Sequence, residues 1–561
     1  MRLRWLFPTA LLLAAAQVVA APRAAEPVAF DWFEYRGMDP LFEEALAKGE
    51  YQNPVAAGFF PDPSIARRGD DYYMAHSSFA YTPGLPILHS RDLVNWRLLG
   101  HALTRRSQVD MRGLQVSQGI FAPTLRYHQG RFYLIGTAVG AGGNFLITAN
   151  DPQGPWSDPV WLPEIGGIDP DIFFDDDGRV YIAHNDAPEG EPLYDGHRAI
   201  WLWEYDPEAE RVLPDSGRVI VNGGVNLSEK PIWIEGPHLY KVNGWYYLLC
   251  AEGGTGYNHS EVVFRTRKLD EPFEPYSGNP ILTQRDLDRG RADPIVAAGH
   301  ADLVQTPEGD WWSVFLATRP YDEVFYNTGR ETFLLPVSWK DGWPRILAAG
   351  QAIPMRPDAP AIDAAPAEGA PLTGNFIWRD DFETRELNPH WNLLRGDFER
   401  DWLQLRGKQL QLLPKPRSMA SREQPAYLGR RQQHQRFQAS AQLRLPADEG
   451  VSAGIVAFQN ENYHYYLGVK AAGKDGYEIF LERAAGGEPQ RLHSVSVDAK
   501  AGEPIALEIR GDRSEIGFYY RSSDGPAKKL VAGLDGELLS TEAAGGFVGT
   551  TLGPHARLES M

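Results

Sequence analysis

Between about residues 50 and 350, short apolar stretches alternate with polar turns, and one pattern returns five times. A small residue or turn leads into a brief apolar strand, a Gly/Asp turn follows, and an aromatic strand comes next. It reads Asp62-Pro63-Ser64-Ile65 with Gly69-Asp70-Asp71-Tyr72-Tyr73, then Ala122-Pro123-Thr124-Leu125 with Gly130-Arg131-Phe132-Tyr133. It continues as Asp169-Pro170-Asp171-Ile172 with Gly178-Arg179-Val180-Tyr181, and Gly236-Pro237-His238-Leu239 with Gly244-Trp245-Tyr246-Tyr247. The fifth copy is His300-Ala301-Asp302-Leu303 with Gly309-Asp310-Trp311-Trp312. Tight turns such as Asn243-Gly244 join strands as hairpins. A long repeat built on a hairpin with a common strand start predicts a β-propeller, and five copies predict five blades. No 3.6-residue periodicity supports a helical solenoid.

The pattern predicts a propeller over residues 49–355. Residues 356–374 are rich in Ala and Pro and read as a linker. From residue 375 to 561 alternating strands return, for example over 437–443, 453–458 and 463–469, and their spacing predicts a β-sandwich. The fold class is therefore all-β, a five-bladed propeller followed by a sandwich. Residues 1–20 combine a basic start, an apolar stretch and the small-residue site Val18-Val19-Ala20, as in a cleaved secretory signal peptide. Residues 21–48 read as a leader, with a helix over residues 40–48.

Charge narrows the partners. The formal net charge is −19, which argues against nucleic acid and against anionic membrane surfaces. A neutral or cationic substrate suits it better. The single cysteine, Cys250, lies in an apolar strand-like run and reads as a buried small hydrophobe. An exported chain without disulfides points to a bacterial periplasmic or secreted setting.

Equivalent inner-strand positions of a propeller converge on its axis. Asp62, Ala122, Asp169 and His300 share such a position, and Glu235 lies one residue before Gly236. Three carboxylates and an imidazole are thus predicted at one mouth of the channel. Each carboxylate stands in apolar or aromatic surroundings, where burial shifts its pKa and signals function. Two carboxylates across a pocket can hydrolyse a glycosidic bond, one as acid and one activating water, while a third tunes the acid. Aromatic walls suit the apolar faces of sugar rings. Other signals carry less. Gly140-Ala141-Gly142-Gly143 lacks the Lys of a phosphate loop, and Asp175-Asp176-Asp177-Gly178 fails the EF-hand spacing. Asn226 and Asn258 fit the glycosylation acceptor rule but have little weight in a bacterial setting. Neither zinc-ligand spacing nor a Gly-x-Ser-x-Gly elbow is present.

Several segments together resemble glycoside hydrolase family 43. They are Phe60-Pro61-Asp62-Pro63-Ser64 with His76-Ser77-Ser78-Phe79, Ile168-Asp169-Pro170, Glu235-Gly236-Pro237-His238, and Gly299-His300-Ala301-Asp302 with Ala317-Thr318-Arg319-Pro320. The C-terminal part resembles the concanavalin-like jelly roll appended to the family's β-xylosidases, through Trp378-Arg379-Asp380-Asp381-Phe382 and Leu387-Asn388-Pro389-His390-Trp391. The resemblance implies an inverting, exo-acting glycosidase acting on an oligosaccharide or hemicellulose. Asp62 would be the general base, Glu235 the general acid, and Asp169 the residue that tunes and positions the acid. Inversion asks for carboxyl groups roughly 6.5–9.5 Å apart. Phe79 and Phe121 would pack on the sugar, and Arg319 would bind its hydroxyls. Phe121 departs from the Trp often found there in related xylosidases. His300 would sit beneath the sugar and ligate a structural calcium, mostly through waters. β-Xylosidase is the first expectation and α-L-arabinofuranosidase the second. The rivals are a non-catalytic carbohydrate-binding propeller, and a sandwich that binds sugar through Tyr463, Tyr465 and Tyr466.

Overall fold

A computed structural model describes residues 25–559, except 366–367, 397–400, 474–475 and 523–524. The signal peptide predicted over residues 1–20 lies outside the described residues. Five antiparallel sheets follow one another along residues 64–345, each of four or five strands. Their first inner strands are Ser64–Arg68, Thr124–His128, Ile168–Phe174, Glu235–Val242 and Val296–Gln305. This is the predicted five-bladed propeller, with each blade starting at the axis and running outward.

One buried ionic network joins all five inner strands. Arg126 bridges Asp171 at 2.9 Å and Asp302 at 2.8 Å. Asp302 also accepts from Ser64 Oγ at 2.6 Å, from the Ile65 amide at 2.9 Å and from the Tyr240 hydroxyl. Burial alone would raise the Asp302 pKa, but the Arg126 charge and these donors hold it well below the usual carboxylate range. The ring closes through residues 51–57. The Asn53 side chain brackets the backbone of Leu334, and Ala56 exchanges backbone hydrogen bonds with Thr332 of the last blade.

The C-terminal part is a two-sheet sandwich, one sheet of eight strands and one of seven. The leader expected over residues 21–48 is not separate from it. Strand Val28–Gly37 inserts between Leu410–Leu412 and Arg436–Arg444, in the interior of the eight-stranded sheet. A register shift between Phe30 and Trp32 brings Phe30, Phe33 and Tyr35 to one face, in one buried cluster with Trp378, Trp391 and Phe437. The helix predicted over residues 40–48 reduces to a single 3-10 turn, Pro40–Phe42. So short a helix is marginal unless it buries a face, and Leu46 stays 44% exposed. The linker is pinned rather than free: Tyr51 N donates to Pro357 O, Asn53 N to Met355 O, and Ala57 N to Leu372 O. The sandwich tyrosines do not form a sugar platform, because Tyr465 and Tyr466 are buried in its sheets.

The sandwich is locked to the propeller. Strand Tyr81–Thr82 of the first blade pairs with Leu393–Leu394. Arg431 donates to Phe59 O and stacks over Phe59 and Phe60, 4.6 and 4.4 Å from their ring centroids.

Candidate active site

Four of the five repeat positions share a backbone conformation. Asp62, Asp169, Gly236 and His300 have φ of 53°, 56°, 55° and 55°. In the last three blades the pairing register shifts at this point, between Ile168 and Asp171, Glu235 and His238, and Gly299 and Asp302. Each strand therefore starts with a bulge that re-aims a side chain. A left-handed conformation is strained for an L-residue, and such strain concentrates at functional sites. Gly236 shows why the fourth blade's acid comes one residue early. A Cβ on Gly236 would stand 2.9 Å from the His300 ring, so the imidazole occupies the space and Glu235 supplies the carboxyl.

The geometry brings Asp62, Asp169 and Glu235 to one cavity of about 280 Å³, lined also by Phe79, Phe121, His300, Arg330 and Phe547. Asp62 is met by donors on both oxygens: Arg330 Nη1 at 2.6 Å from Oδ1, and Ser77 Oγ at 2.5 Å from Oδ2. Charge-assisted hydrogen bonds of this kind fix the orientation of the carboxyl group. Asp169 accepts from the Gly236 amide at 3.2 Å. Burial, with the neighbouring Glu235 and Asp62 charges, pushes Asp169 well above the usual carboxylate range. Burial and the Asp62 charge push Glu235 up to about 7, against the opposing pull of Arg330 and Arg198. Asp169 and Glu235 thus titrate as a pair that keeps a proton near neutral pH. An acid able to donate and a carboxylate able to accept face the same cavity.

Three aromatic rings wall it. Phe547 stacks on Phe79 with centroids 6.1 Å apart and meets Phe121 edge-on at 5.6 Å. Phe547 belongs to the sandwich and is held by its amide donating to Ser117 Oγ at 3.0 Å. The second domain therefore completes the pocket of the first.

Arg319 lies elsewhere. It is buried between the domains, with Nε 2.7 Å from Glu331 and Nη1 3.3 Å from Asp39, and it does not line the cavity. Arg330 takes the place expected of it. The signal in the sequence was a charged pair, Arg330-Glu331, at the start of an otherwise apolar strand. Ser77, which bonds Asp62, and the lining residues Trp233 and Phe547 were also missed. Ser77 stood inside a quoted motif, whereas Phe547 in Gly545-Gly546-Phe547 had no local sign of a partner more than four hundred residues away.

His300 does line the pocket, and burial pulls it down to about 3, so it is a neutral imidazole. Gly236 and the His238 ring lie against it, and Asp62 is engaged by Arg330 and Ser77. Among the described residues no group of three or more His, Cys, Asp or Glu could hold a metal. Calcium takes six to eight oxygens, waters included, so an ion beside His300 would be held mostly through waters, as the resemblance implies.

The model of glycosyl hydrolases family 43 matches residues 51–344, and that of the β-xylosidase C-terminal concanavalin A-like domain matches residues 379–558. The chain is 38% identical over 525 residues to a xylosidase/arabinosidase of Butyrivibrio fibrisolvens, covering 90% of this chain and 95% of that one. It is 35% identical over 531 residues to a non-reducing end α-L-arabinofuranosidase of Bacteroides ovatus, covering 91% and 92%. Among solved structures, a family 43 protein retrieved from capybara gut metagenome superposes with a TM-score of 0.89. It is 38% identical, over 95% of this chain and all of that one.

Proposed function

Because this chain belongs to family 43 of the glycosyl hydrolases, we propose that it releases xylose from the ends of xylo-oligosaccharides by an inverting, exo-acting mechanism. The observation that carries the exo reading is Phe547. A propeller face alone is an open surface, but a ring from the sandwich packs on Phe79 and Phe121 and turns it into a pocket that takes a chain end.

The chemistry follows from the carboxyls. Raised to about 7, Glu235 still carries its proton in a large share of molecules near neutral pH and gives it to the glycosidic oxygen as the bond breaks. Asp62, oriented by Arg330 and Ser77, takes a proton from a water that attacks the anomeric carbon from the opposite face. Asp169, whose proton affinity the Glu235 charge raises, shares the pair's proton and is fixed by the Gly236 amide. Phe79, Phe121 and Phe547 exclude bulk water from the sugar. His300, neutral and buried, presents a hydrogen-bonding ring to the substrate.

Release of α-L-arabinofuranose is the second reading, favoured by the names of the two relatives above. The basic, apolar start of the chain supports export to the periplasm or beyond.

The test is nitrophenol release from aryl β-D-xylopyranoside and α-L-arabinofuranoside, and xylose release from xylobiose, by wild type and by Glu235→Gln. Loss of general-acid catalysis should cut xylobiose hydrolysis by about 10²–10⁴-fold. The ratio of the aryl glycoside rates names the sugar. A folded wild type inactive on all three overturns the reading.

A further inference from the structure

Two residues before the general acid, Trp233 has φ of 51°, a region that bulky residues avoid. Its ring belongs to none of the buried hydrophobic clusters of the propeller and stays 39% exposed at the cavity's rim. Packing therefore does not account for the strain. The ring is nevertheless held rigidly. The Arg198 guanidinium lies 4.9 Å from its centroid. Arg198 in turn is fixed by two hydrogen bonds to Asn185 Oδ1, at 2.8 and 3.2 Å, and the Asn185 amide donates to Ile234 O. The Trp233 amide donates to Gly196 O at 2.9 Å. Gly254 stands near the ring, where an added Cβ would lie at ordinary contact distance, 3.8 Å, from Trp233 Cδ1.

The exposed apolar surface continues outward. Ile232 is 47% exposed and Leu193 67%. The loop that carries Leu193 packs on this segment, because a Cβ at Gly196 would stand 2.8 Å from Ile232 Cγ2. Trp233 thus stands at the pocket rim two residues from Glu235, with Ile232 exposed beside it in the chain and Leu193 exposed on the loop that packs there.

The side of Glu235 has a defined chemistry. The general acid protonates the oxygen that departs with the leaving group, so the leaving group lies on the acid's side. The enclosed sugar is already walled by Phe79, Phe121 and Phe547, which pack on one another. We propose that Trp233 is the stacking platform for the leaving sugar ring, and that Ile232 extends it toward the ring beyond. This rests on the hydrolase reading above. It makes Trp233 a residue that selects substrates whose leaving group is a flat-faced pyranose. A preorganised ring loses little entropy on binding.

The experiment uses Trp233→Gly and Trp233→Phe in the full chain. Glycine removes the ring and suits the positive φ, so the fold has no reason to suffer. kcat/KM is measured on xylobiose and xylotriose, together with competitive inhibition by xylose, which reports the enclosed pocket. The glycine variant should lose on the order of tenfold or more in kcat/KM on both oligosaccharides, and the phenylalanine variant should stay within about threefold of wild type. The xylose inhibition constant should move by less than about twofold. Unchanged kcat/KM in the glycine variant overturns the proposal. So does an equal loss of xylose affinity, which would place Trp233 in the frame of the enclosed pocket. If the glycine variant does not fold, Trp233→Leu decides: retained kcat/KM without a flat ring overturns the proposal, and a loss that phenylalanine does not share supports it. A wild type inactive on every xyloside and arabinoside overturns the hydrolase reading itself.

Discussion

Arg330 grips Asp62 across the seam where the propeller closes: Nη1 lies 2.6 Å from Oδ1 and Nη2 3.4 Å from Oδ2. One residue precedes strand Glu331–Lys340 of the last blade, and the other precedes strand Ser64–Arg68 of the first. The contact that orients the base thus sits at the seam where the ring closes. Arg330→Ala should lower kcat by about 10²–10³-fold, because a water-activating carboxylate loses its positioning. The Arg330 charge also lowers the proton affinity of Glu235. Its removal should move the basic limb of the pH–rate profile upward, and a profile of kcat/KM between pH 5 and 9 reads this directly.

Glu235→Gln should stabilise the fold at alkaline pH. The folded-state pKa is raised to about 7 from an ordinary 4.5. Between these values the folded state binds more protons than the unfolded state, so stability falls as pH rises through the window. Glutamine removes that loss. Thermal melts should show little difference between wild type and variant at pH 4.5, and an advantage for the variant at pH 8 on the order of 1–3 kcal/mol.

Asp169→Asn should collapse a two-step titration to one. The paired carboxyls hold their last proton jointly, and with one removed Glu235 releases it at lower pH. The basic limb should shift downward, opposite to the Arg330 variant, and kcat should fall about 10²-fold or more. A basic limb that does not move would remove the tuning role.

Phe547→Ala should weaken substrate binding from a different domain. The ring touches Phe79 and Phe121 but is only partly buried. KM for aryl xyloside should rise on the order of tenfold, with a smaller change in kcat. The melting temperature should move by only a few degrees.

Arg319→Ala should act on stability. Arg319 is buried with Glu331 and Asp39 as its partners, and breaking such a set costs about 3–5 kcal/mol. Denaturation should show that loss, while KM of the remaining folded enzyme stays near wild type. A large KM change with unchanged stability would restore Arg319 to the sugar pocket.

The propeller was legible because its repeat writes the same strand start five times. The strained positions at 62, 169, 236 and 300 fall on the repeat itself, so the carboxyl constellation could be placed without coordinates. What escaped notice joins segments with no shared pattern. Asp171 and Asp302 looked like ordinary members of the repeat, yet Arg126 binds both and stitches the inner strands together. Arg319 and Arg330 lie on either side of one turn, and only packing decides which reaches Asp62. Strand Val28–Gly37 alternates as a sandwich strand should, but its partners lie beyond the whole propeller.

That strand sets an order of events during synthesis. The Tyr35 hydroxyl meets His434 Nδ1 at 3.0 Å, 399 residues away in the chain. This strand leaves the ribosome before the propeller yet is among the last elements to find its neighbours, and five blades must emerge before its sheet can exist. Until then its apolar face, Phe30, Phe33 and Tyr35, needs shelter from solvent and from other chains. Deletion of residues 26–37 would leave an interior gap in the sheet, so the propeller cannot be separated from the sandwich by cutting at residue 375. The molecule is better understood as a sandwich that holds an entire propeller as an insertion between its first strand and its second.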